Sequence, residues 1–277
     1  MLEKSVRVAV PRKRTPREGN SAMTVEEIVQ TPQLRSVVED YRDTCRHAMR
    51  ILTYNVRAGQ GMDLSPALER QAAAIRALAP DVAALQEVDR ATRRSGGVDQ
   101  AAALAGATGL HAAFARSIDF EGGQYGIALL SRERPGSVRV VPLPSPHDED
   151  RALLVADFGA FVFAVTHLSL HEGDRAESVD RILAELLPSP KPVFLAGDWN
   201  ALPDDATLRR IGRGFAVLTD PSVPTFPAAA PDRCIDYVAV DRAHADAFRG
   251  AVARVVDEPS ASDHRPVLLD LPTAPGT

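Results

Sequence analysis

The segment 192–201 reads Pro-Val-Phe-Leu-Ala-Gly-Asp-Trp-Asn-Ala and sets a carboxylate, Asp198, two residues before an amide, Asn200. Val193, Phe194 and Leu195 form a short apolar run of the kind a buried strand shows, and Gly197 marks its approach to a turn. In an extended backbone residues i and i+2 face one side, so this spacing predicts an acid and an amide acting on one reacting group. Gly-Asp-x-Asn equally reads as an Asx-type turn that satisfies its own backbone. Partners at other strand ends decide between the two readings.

Such partners recur along the chain. Asn55, Glu87, Tyr125, His167, Asp236 and the pair Asp263 and His264 each stand at, or beside the end of, an apolar run. Each alone has a plain structural explanation: a solvated strand terminus for Glu87, a half-buried aromatic for Tyr125, a satisfied structural histidine for His167. The signal lies in the set, because a fold that gathers strand ends brings these groups into one cleft. Glu87 and Asp263 offer hard oxygen ligands, and Asn55, Asp198 and Asn200 add more oxygen, which suits Mg²⁺ or Mn²⁺ rather than zinc. Asp236 is suited to orient His264 and hold it in one tautomer, which makes an imidazole an effective base or transition-state donor. Phosphorus chemistry fits such a set best, since it needs neutralised non-bridging oxygens, an activated water and help for the leaving oxygen.

The elements that must position these groups are legible in outline. The run 51–56 reads as a strand ending at Asn55, followed by the flexible Ala-Gly-Gln-Gly at 58–61. Ser65 as N-cap and Pro66 at the first helical position predict a helix to Ala79, with Leu68, Ala72, Ile75 and Leu78 inward and Pro80 closing it. A strand over 82–87 ends at a carboxylate, an Ala-rich helix covers 98–107, and strands cover 110–115 and 125–131 around a turn at Gly122 and Gly123. Short strands follow over 137–142, 152–157 and 161–167. Asp174 then predicts a helix cap, with Glu177 completing a capping box, Val179, Ile182, Leu183 and Leu186 buried, and Pro188 as the stop. After the strand of 192–198 come a short helix over 205–211 and strands over 234–240, 249–256 and 266–270. Many strands, few helices and several direct strand-to-strand connections predict two sheets packed face to face with helices outside. No internal repeat with a period of 20 to 50 residues is present.

Composition narrows the class. With 277 residues, 45% of them hydrophobic and 25% charged, the chain matches an ordinary globular protein with a substantial core. No apolar run approaches the roughly 20 residues a bilayer span requires. Early charges at Glu3, Lys4 and Arg7 and the lack of an apolar core segment give no secretory signal, so the expectation is a cytoplasmic monomer. Cys45 and Cys234 read as plain thiols. Residues 1–50 carry ten Lys or Arg against seven Asp or Glu, so the overall charge of −5 leaves −8 for residues 51–277. An acidic domain is a poor electrostatic match for nucleic acid, whose non-specific binding rests on Lys and Arg. Residues 1–48, with Pro-Arg-Lys-Arg at 11–14, read as a basic extension, disordered or partly helical over 24–47; residues 49–272 form one domain and 273–277 a tail.

The ordered series Tyr54-Asn55-Val56, Leu85-Gln86-Glu87-Val88, Tyr125-Gly126, Thr166-His167-Leu168, Gly197-Asp198-Trp199-Asn200, Ile235-Asp236-Tyr237 and Ser262-Asp263-His264-Arg265-Pro266 resembles the endonuclease/exonuclease/phosphatase superfamily, over about residues 50–270. The resemblance implies an α/β fold of DNase I-like type, a four-layer α-β-β-α sandwich with two mixed β-sheets, and Mg²⁺-dependent phosphoester hydrolysis. It implies Glu87 as principal metal ligand with Asn55 and Asp263 beside it, and Asp198 positioning or deprotonating the attacking water with Asn200 as its neighbour on the phosphate. It further implies His264 on the scissile phosphate supported by Asp236, Tyr125 on the phosphate, and His167 assisting the leaving group. Whether Asp198 or His264 is the base, and whether one metal or two take part, stays open.

Departures bear on substrate. Ile127 stands where bacterial relatives often carry Asn, and Trp199 replaces a common Phe. Lys-rich or Trp-Gly-rich DNA-gripping loops, the aromatic hairpin of secreted sphingomyelinases and the Asn-Tyr-Arg of inositol phosphatases are all missing. Thr225-Phe226-Pro227 resembles small bacterial metal-dependent hydrolases. The expectation is a phosphodiesterase or phosphatase acting on a small molecule or lipid headgroup. A DNA or RNA nuclease using the basic extension as a tether, and a catalytically silent binding module on the same fold, are the alternatives.

Overall fold

The computed structural model describes residues 49–272; the helix expected within 24–47, the basic segment 11–14 and the tail 273–277 lie outside the described residues. In chain order the elements are β1 (Arg50–Asn55), α1 (Leu68–Leu78), β2 (Val82–Arg90), α2 (Gln100–Thr108), β3 (His111–Phe120), β4 (Gly123–Ser131), β5 (Ser137–Leu143), β6 (Arg151–Asp157) and β7 (Val162–His167). They continue with α3 (Glu172–Leu186), β8 (Val193–Asp198), α4 (Ala206–Ile211), β9 (Phe215–Val217), β10 (Asp236–Asp241), β11 (Val252–Val255) and β12 (Val267–Asp270).

The strands form two six-stranded mixed sheets, ordered β11-β12-β1-β2-β4-β3 and β5-β6-β7-β8-β10-β9. Each sheet has one parallel pair, β1 with β2 and β7 with β8, joined by the crossover helices α1 and α3. The strands between read as nearly unbroken apolar runs because both faces are covered. Odd and even residues therefore serve different cores. Ile51, Val82, Ala84, Leu129, Leu154, Phe163, Val165 and Phe194 fill the layer between the sheets. Leu52, Ala83, Leu85 and Leu130 face outward onto Ala72, Ile75, Ala101 and Leu104 of α1 and α2. Leu153, Val155, Leu195 and Tyr237 do the same beneath Val179, Ile182 and Leu186 of α3 and Ile211 of α4. The α/β four-layer sandwich follows, helix, sheet, sheet, helix. At about 1.5–3 kcal/mol for each large apolar side chain removed from water, the shared central layer is the main adhesive between the halves.

Two helix starts differ from expectation. The helix α1 begins at Leu68, because Pro66 instead pairs in an isolated bridge with Gln60 and Ser65 Oγ accepts from Arg70 at 3.1 Å. The helix α3 begins at Glu172 with His171 preceding it and no side-chain cap, so the expected capping box at Asp174 does not form. The Asp174 carboxylate is turned instead to His147, accepting its backbone N–H at 3.1 Å. By contrast Asp99 and Asp205 cap α2 and α4 by accepting from Ala102 and Thr207. The hairpin β3-β4 runs longer than expected, since Glu121 and Gly122 both take positive φ and form the tight turn that suits the twist of antiparallel strands.

Gly197 lets β7 and β8 close together at the end that carries His167 and Asp198. A Cβ there would lie 1.9 Å from the Thr166 carbonyl oxygen. Both strands are central and cannot retreat, so Gly197→Ala is expected to cost more than about 3 kcal/mol, read as a lower midpoint in urea denaturation. A midpoint unchanged from wild type would contradict this tight pairing.

Candidate active site

The carboxyl ends of β1, β7 and β8 lie at one end of the sandwich, where Asn55, His167 and Asp198 are the last strand residues. In register, Asp198 is flanked by His167 of the parallel neighbour β7 and by Asp236 of the antiparallel neighbour β10. A β-bulge delivers Glu87. Pairing of β2 with β4 slips between Leu85 and Val88, and Glu87 takes the left-handed conformation with φ of 56°. Backbone strain of about 1–3 kcal/mol at such a non-glycine residue is typical of functional sites.

The groups converge on one cavity of about 390 Å³. Seven of the nine residues expected from sequence line it: Glu87, Tyr125, His167, Asp198, Asn200, Asp263 and His264. The other two stand immediately behind. Asn55 Nδ2 donates to Glu87 Oε1 at 2.9 Å and to Asp198 Oδ2 at 3.1 Å, so one amide joins the two sheets. Asp236 holds His264 through Nδ1, at 3.0 and 3.2 Å to its two oxygens. Thr225 Oγ1 donates to Asp236 Oδ2 at 2.5 Å, and the Phe226 ring packs 4.6 Å from the His264 ring. The segment 225–226 thus supports the imidazole from two sides. The loop bearing Asp263 and His264 is stapled to β1 by Ser262 Oγ donating to the Asn55 carbonyl at 2.6 Å, and by Gln71 bridging the Val56 and Ala261 carbonyls.

Asn200 departs from the extended geometry expected of it. The strand ends at Asp198, Asn200 has φ of 47°, and Asp198 Oδ1 accepts the Asn200 backbone N–H at 2.9 Å. The Asx-type turn is the geometry present: it uses one carboxylate oxygen, Oδ1, and leaves Oδ2 toward Asn55 and the cavity. Asn200 Nδ2 donates to the Leu168 carbonyl at 2.9 Å and lies 3.1 Å from His167 Nε2.

Charge states follow from burial and neighbours. Burial opposes the imidazolium of His264, yet the carboxylates of Asp236 and Asp198 outweigh it and hold its pKa up at about 10. Burial pushes the Asp198 carboxyl up, with the His264 imidazolium opposing. Burial also drives His167 well below its ordinary value, with Arg151 and His264 adding to the shift, so it is a neutral imidazole at pH 7. Donor groups stand at both ring nitrogens of His167, Arg151 Nη1 3.2 Å from Nδ1 and Asn200 Nδ2 3.1 Å from Nε2, and Asp198 Oδ2 lies 3.5 Å from Nε2. Tyr125 is held as a phenol by burial and by Glu87 and Glu149.

Sequence reasoning missed the Asp148, Glu149 and Arg151 wall of this cavity. Arg151 is buried and reaches Asp148 Oδ2 at 3.1 Å and Glu149 Oε1 at 2.7 Å. Against the cost of burial, the Leu170 and Glu149 backbone N–H groups and Arg151 hold the Asp148 carboxyl far below the carboxylate range. A charged run at 147–151 reads as solvated surface, and only its position beside His167 reveals otherwise. Ile127, conversely, is buried between the sheets and does not line the cavity. A second cleft of about 670 Å³, lined by Arg57, Arg93 and Arg94, shares Glu87 with the first.

The donor chemistry suits a divalent cation. Glu87 and Asp263 both present carboxylates to the cavity, and Mg²⁺ is commonly held by one or two carboxylates with water completing its shell. In this arrangement the Asn55 Oδ1 accepts the Arg57 backbone N–H at 3.0 Å, and Asp263 Oδ2 lies 3.3 Å from Arg57 Nε.

A four-layer sandwich with acids, amides and imidazoles at the strand ends of both sheets is the architecture of phosphoester hydrolases of the DNase I-like class. The chain belongs to the endonuclease/exonuclease/phosphatase family, whose model matches residues 52–264. Among solved structures it is similar to an endonuclease/exonuclease/phosphatase from Beutenbergia cavernae, at 26% identity and a TM-score of 0.67, covering 83% of this chain and 72% of that one. It shares its fold with a mannosyl-6-phosphatase from Bacteroides thetaiotaomicron, at 14% identity, TM-score 0.62 and coverage of 80% and 99%. The endonuclease domain of TRAS1, a telomere-specific non-LTR retrotransposon, is similar at 18% identity, TM-score 0.54 and coverage of 82% and 99%. No curated protein matches. Family members are hydrolases acting on phosphoester bonds, typically dependent on a divalent metal. Among the described residues no helix is long and apolar enough to cross a membrane.

Proposed function

We propose that this protein is a cytoplasmic, monomeric, Mg²⁺-dependent phosphodiesterase or phosphatase acting on a small molecule or lipid headgroup. The observation that carries the reading is the single cavity into which Glu87, Asp263, Asp198, His167 and His264 converge from both sheets. Glu87 and Asp263, with Asn55 beside them, would hold Mg²⁺, which supplies Lewis-acid polarisation of the phosphoryl oxygens. His264, kept cationic between Asp236 and Asp198, binds a non-bridging oxygen and offsets its growing charge. Asp198 Oδ2 orients the attacking water and accepts its proton, its other oxygen being fixed by the Asn200 backbone. His167 assists the leaving oxygen, while Tyr125 and Asn200 position the phosphate.

The Arg57, Arg93 and Arg94 cleft favours a second reading, a nuclease whose polyanionic substrate continues past Glu87. Three substrates separate the two: p-nitrophenyl phosphate, bis(p-nitrophenyl) phosphate and plasmid DNA, each with Mg²⁺, Mn²⁺ or EDTA. The expected result is turnover of a nitrophenyl ester that EDTA abolishes and Mg²⁺ restores. Cleavage of plasmid alone would replace this proposal with the nuclease, and EDTA-resistant turnover would remove the metal from it.

A further inference from the structure

A second cluster of ligating groups lies outside the cavity, at the start of α3. Asp174 sits in the first helical turn with its side chain only 2% exposed. Two imidazoles reach it from separate segments. His147 Nδ1 lies 2.8 Å from Asp174 Oδ1, and His171 Nδ1 lies 3.5 Å from that same oxygen. The His147 backbone N–H already occupies Asp174 Oδ2 at 3.1 Å. One ion pair would explain one histidine, but both rings turn Nδ1 inward and stack with centroids 4.2 Å apart. One donor atom from each residue lies within 4.8 Å of the other two.

We propose that His147, His171 and Asp174 form a binding site for a borderline divalent transition metal of the Zn²⁺ class. The donors are two imidazole nitrogens and one carboxylate oxygen, a set such ions favour and Mg²⁺ does not. Zinc–nitrogen bonds near 2.0–2.1 Å require donors roughly 3.3 Å apart, so the rings must turn from their stacked pose. Both have that freedom, with side chains 61% and 48% exposed, and their outer side leaves the remaining coordination positions to water.

The position gives the ion a structural consequence. His147 precedes Asp148, which accepts from Ser169 Oγ at 3.0 Å, the Leu170 backbone N–H at 2.9 Å and Arg151 at 3.1 Å. His171 follows Leu170, itself part of the cavity wall. A metal joining His147 to His171 clamps the two segments that carry this wall.

The test uses tag-free full-length protein in excess Mg²⁺, titrated with Co²⁺ as a spectroscopic probe. The expected result is one Co²⁺ with visible d–d absorption, displaced by Zn²⁺ and retained in Glu87→Ala. In His171→Ala and His147→Ala, both exposed positions checked for folding by circular dichroism, affinity should fall at least about 100-fold, the upper range for lost supporting groups around metal sites. Absence of the band in wild type, its persistence in both histidine variants, or its loss in Glu87→Ala would each overturn the proposal.

Discussion

Glu87→Ala is expected to lower Mg²⁺-dependent phosphoester turnover by about 10³-fold or more, equivalent to about 4 kcal/mol of transition-state stabilisation. The chain invests local structure in this one carboxylate: the bulge between Leu85 and Val88 and a left-handed backbone exist where Glu87 enters the cavity. Asn55 Nδ2 holds its Oε1 at 2.9 Å, which ties it to Asp198 on the opposite sheet. The methyl group of alanine leaves the bulge in place and removes the ligand. The folded state should therefore persist, since no apolar core is disturbed. A Mg²⁺ titration of turnover, with circular dichroism melts alongside, provides the check. Retention of a tenth of wild-type activity at saturating Mg²⁺ would remove Glu87 from the role of principal ligand.

Asp198→Asn should cost about 10²–10⁴-fold in kcat, the range for loss of a positioned proton acceptor. The substitution is isosteric, and the new amide oxygen can still accept from the Asn200 backbone as Asp198 Oδ1 does at 2.9 Å. What disappears is the negative oxygen that Asn55, His167 and His264 surround, at 3.1, 3.5 and 3.6 Å. Loss concentrated in KM with kcat intact would assign Asp198 to substrate binding and leave proton transfer to another group.

The two substitutions probe different kinds of legibility. Glu87 closes the run that reads as a buried strand over 82–87, but β2 continues past it to Arg90, and Glu87 sits at a bulge within the strand. Its left-handed conformation is not legible in the sequence, because the bulge depends on how β4 pairs beside it. Asn200 illustrates the converse. Spacing predicts a shared side with Asp198, whereas the strand stops at Asp198 and the turn brings Asn200 to the Leu168 carbonyl and beside His167. Asp174 shows local rules yielding to tertiary ones, its capping pattern losing the carboxylate to the His147 segment. Thr225 and Phe226 stand out in sequence as part of a motif, but their contacts with Asp236 and His264 exist only in the folded loop.

The sequence by itself determined the two-sheet sandwich and marked the polar groups that stand out against its apolar strands. Strands covered on both faces must be apolar throughout, so polar residues at their ends stand out against the run. Only the tertiary structure decided which groups meet. Arg151, Asp148 and Glu149 join the cavity because β6 and β7 bring them beside His167. Asn55 connects to Asp198 across 143 positions of chain. Burial and neighbours then set the charges: burial opposes a cationic His264, which the Asp236 and Asp198 carboxylates nonetheless hold charged, and burial with Arg151 nearby keeps His167 neutral. Such shifts arise from desolvation and from neighbours distant in sequence, and both exist only once the two sheets have closed on each other.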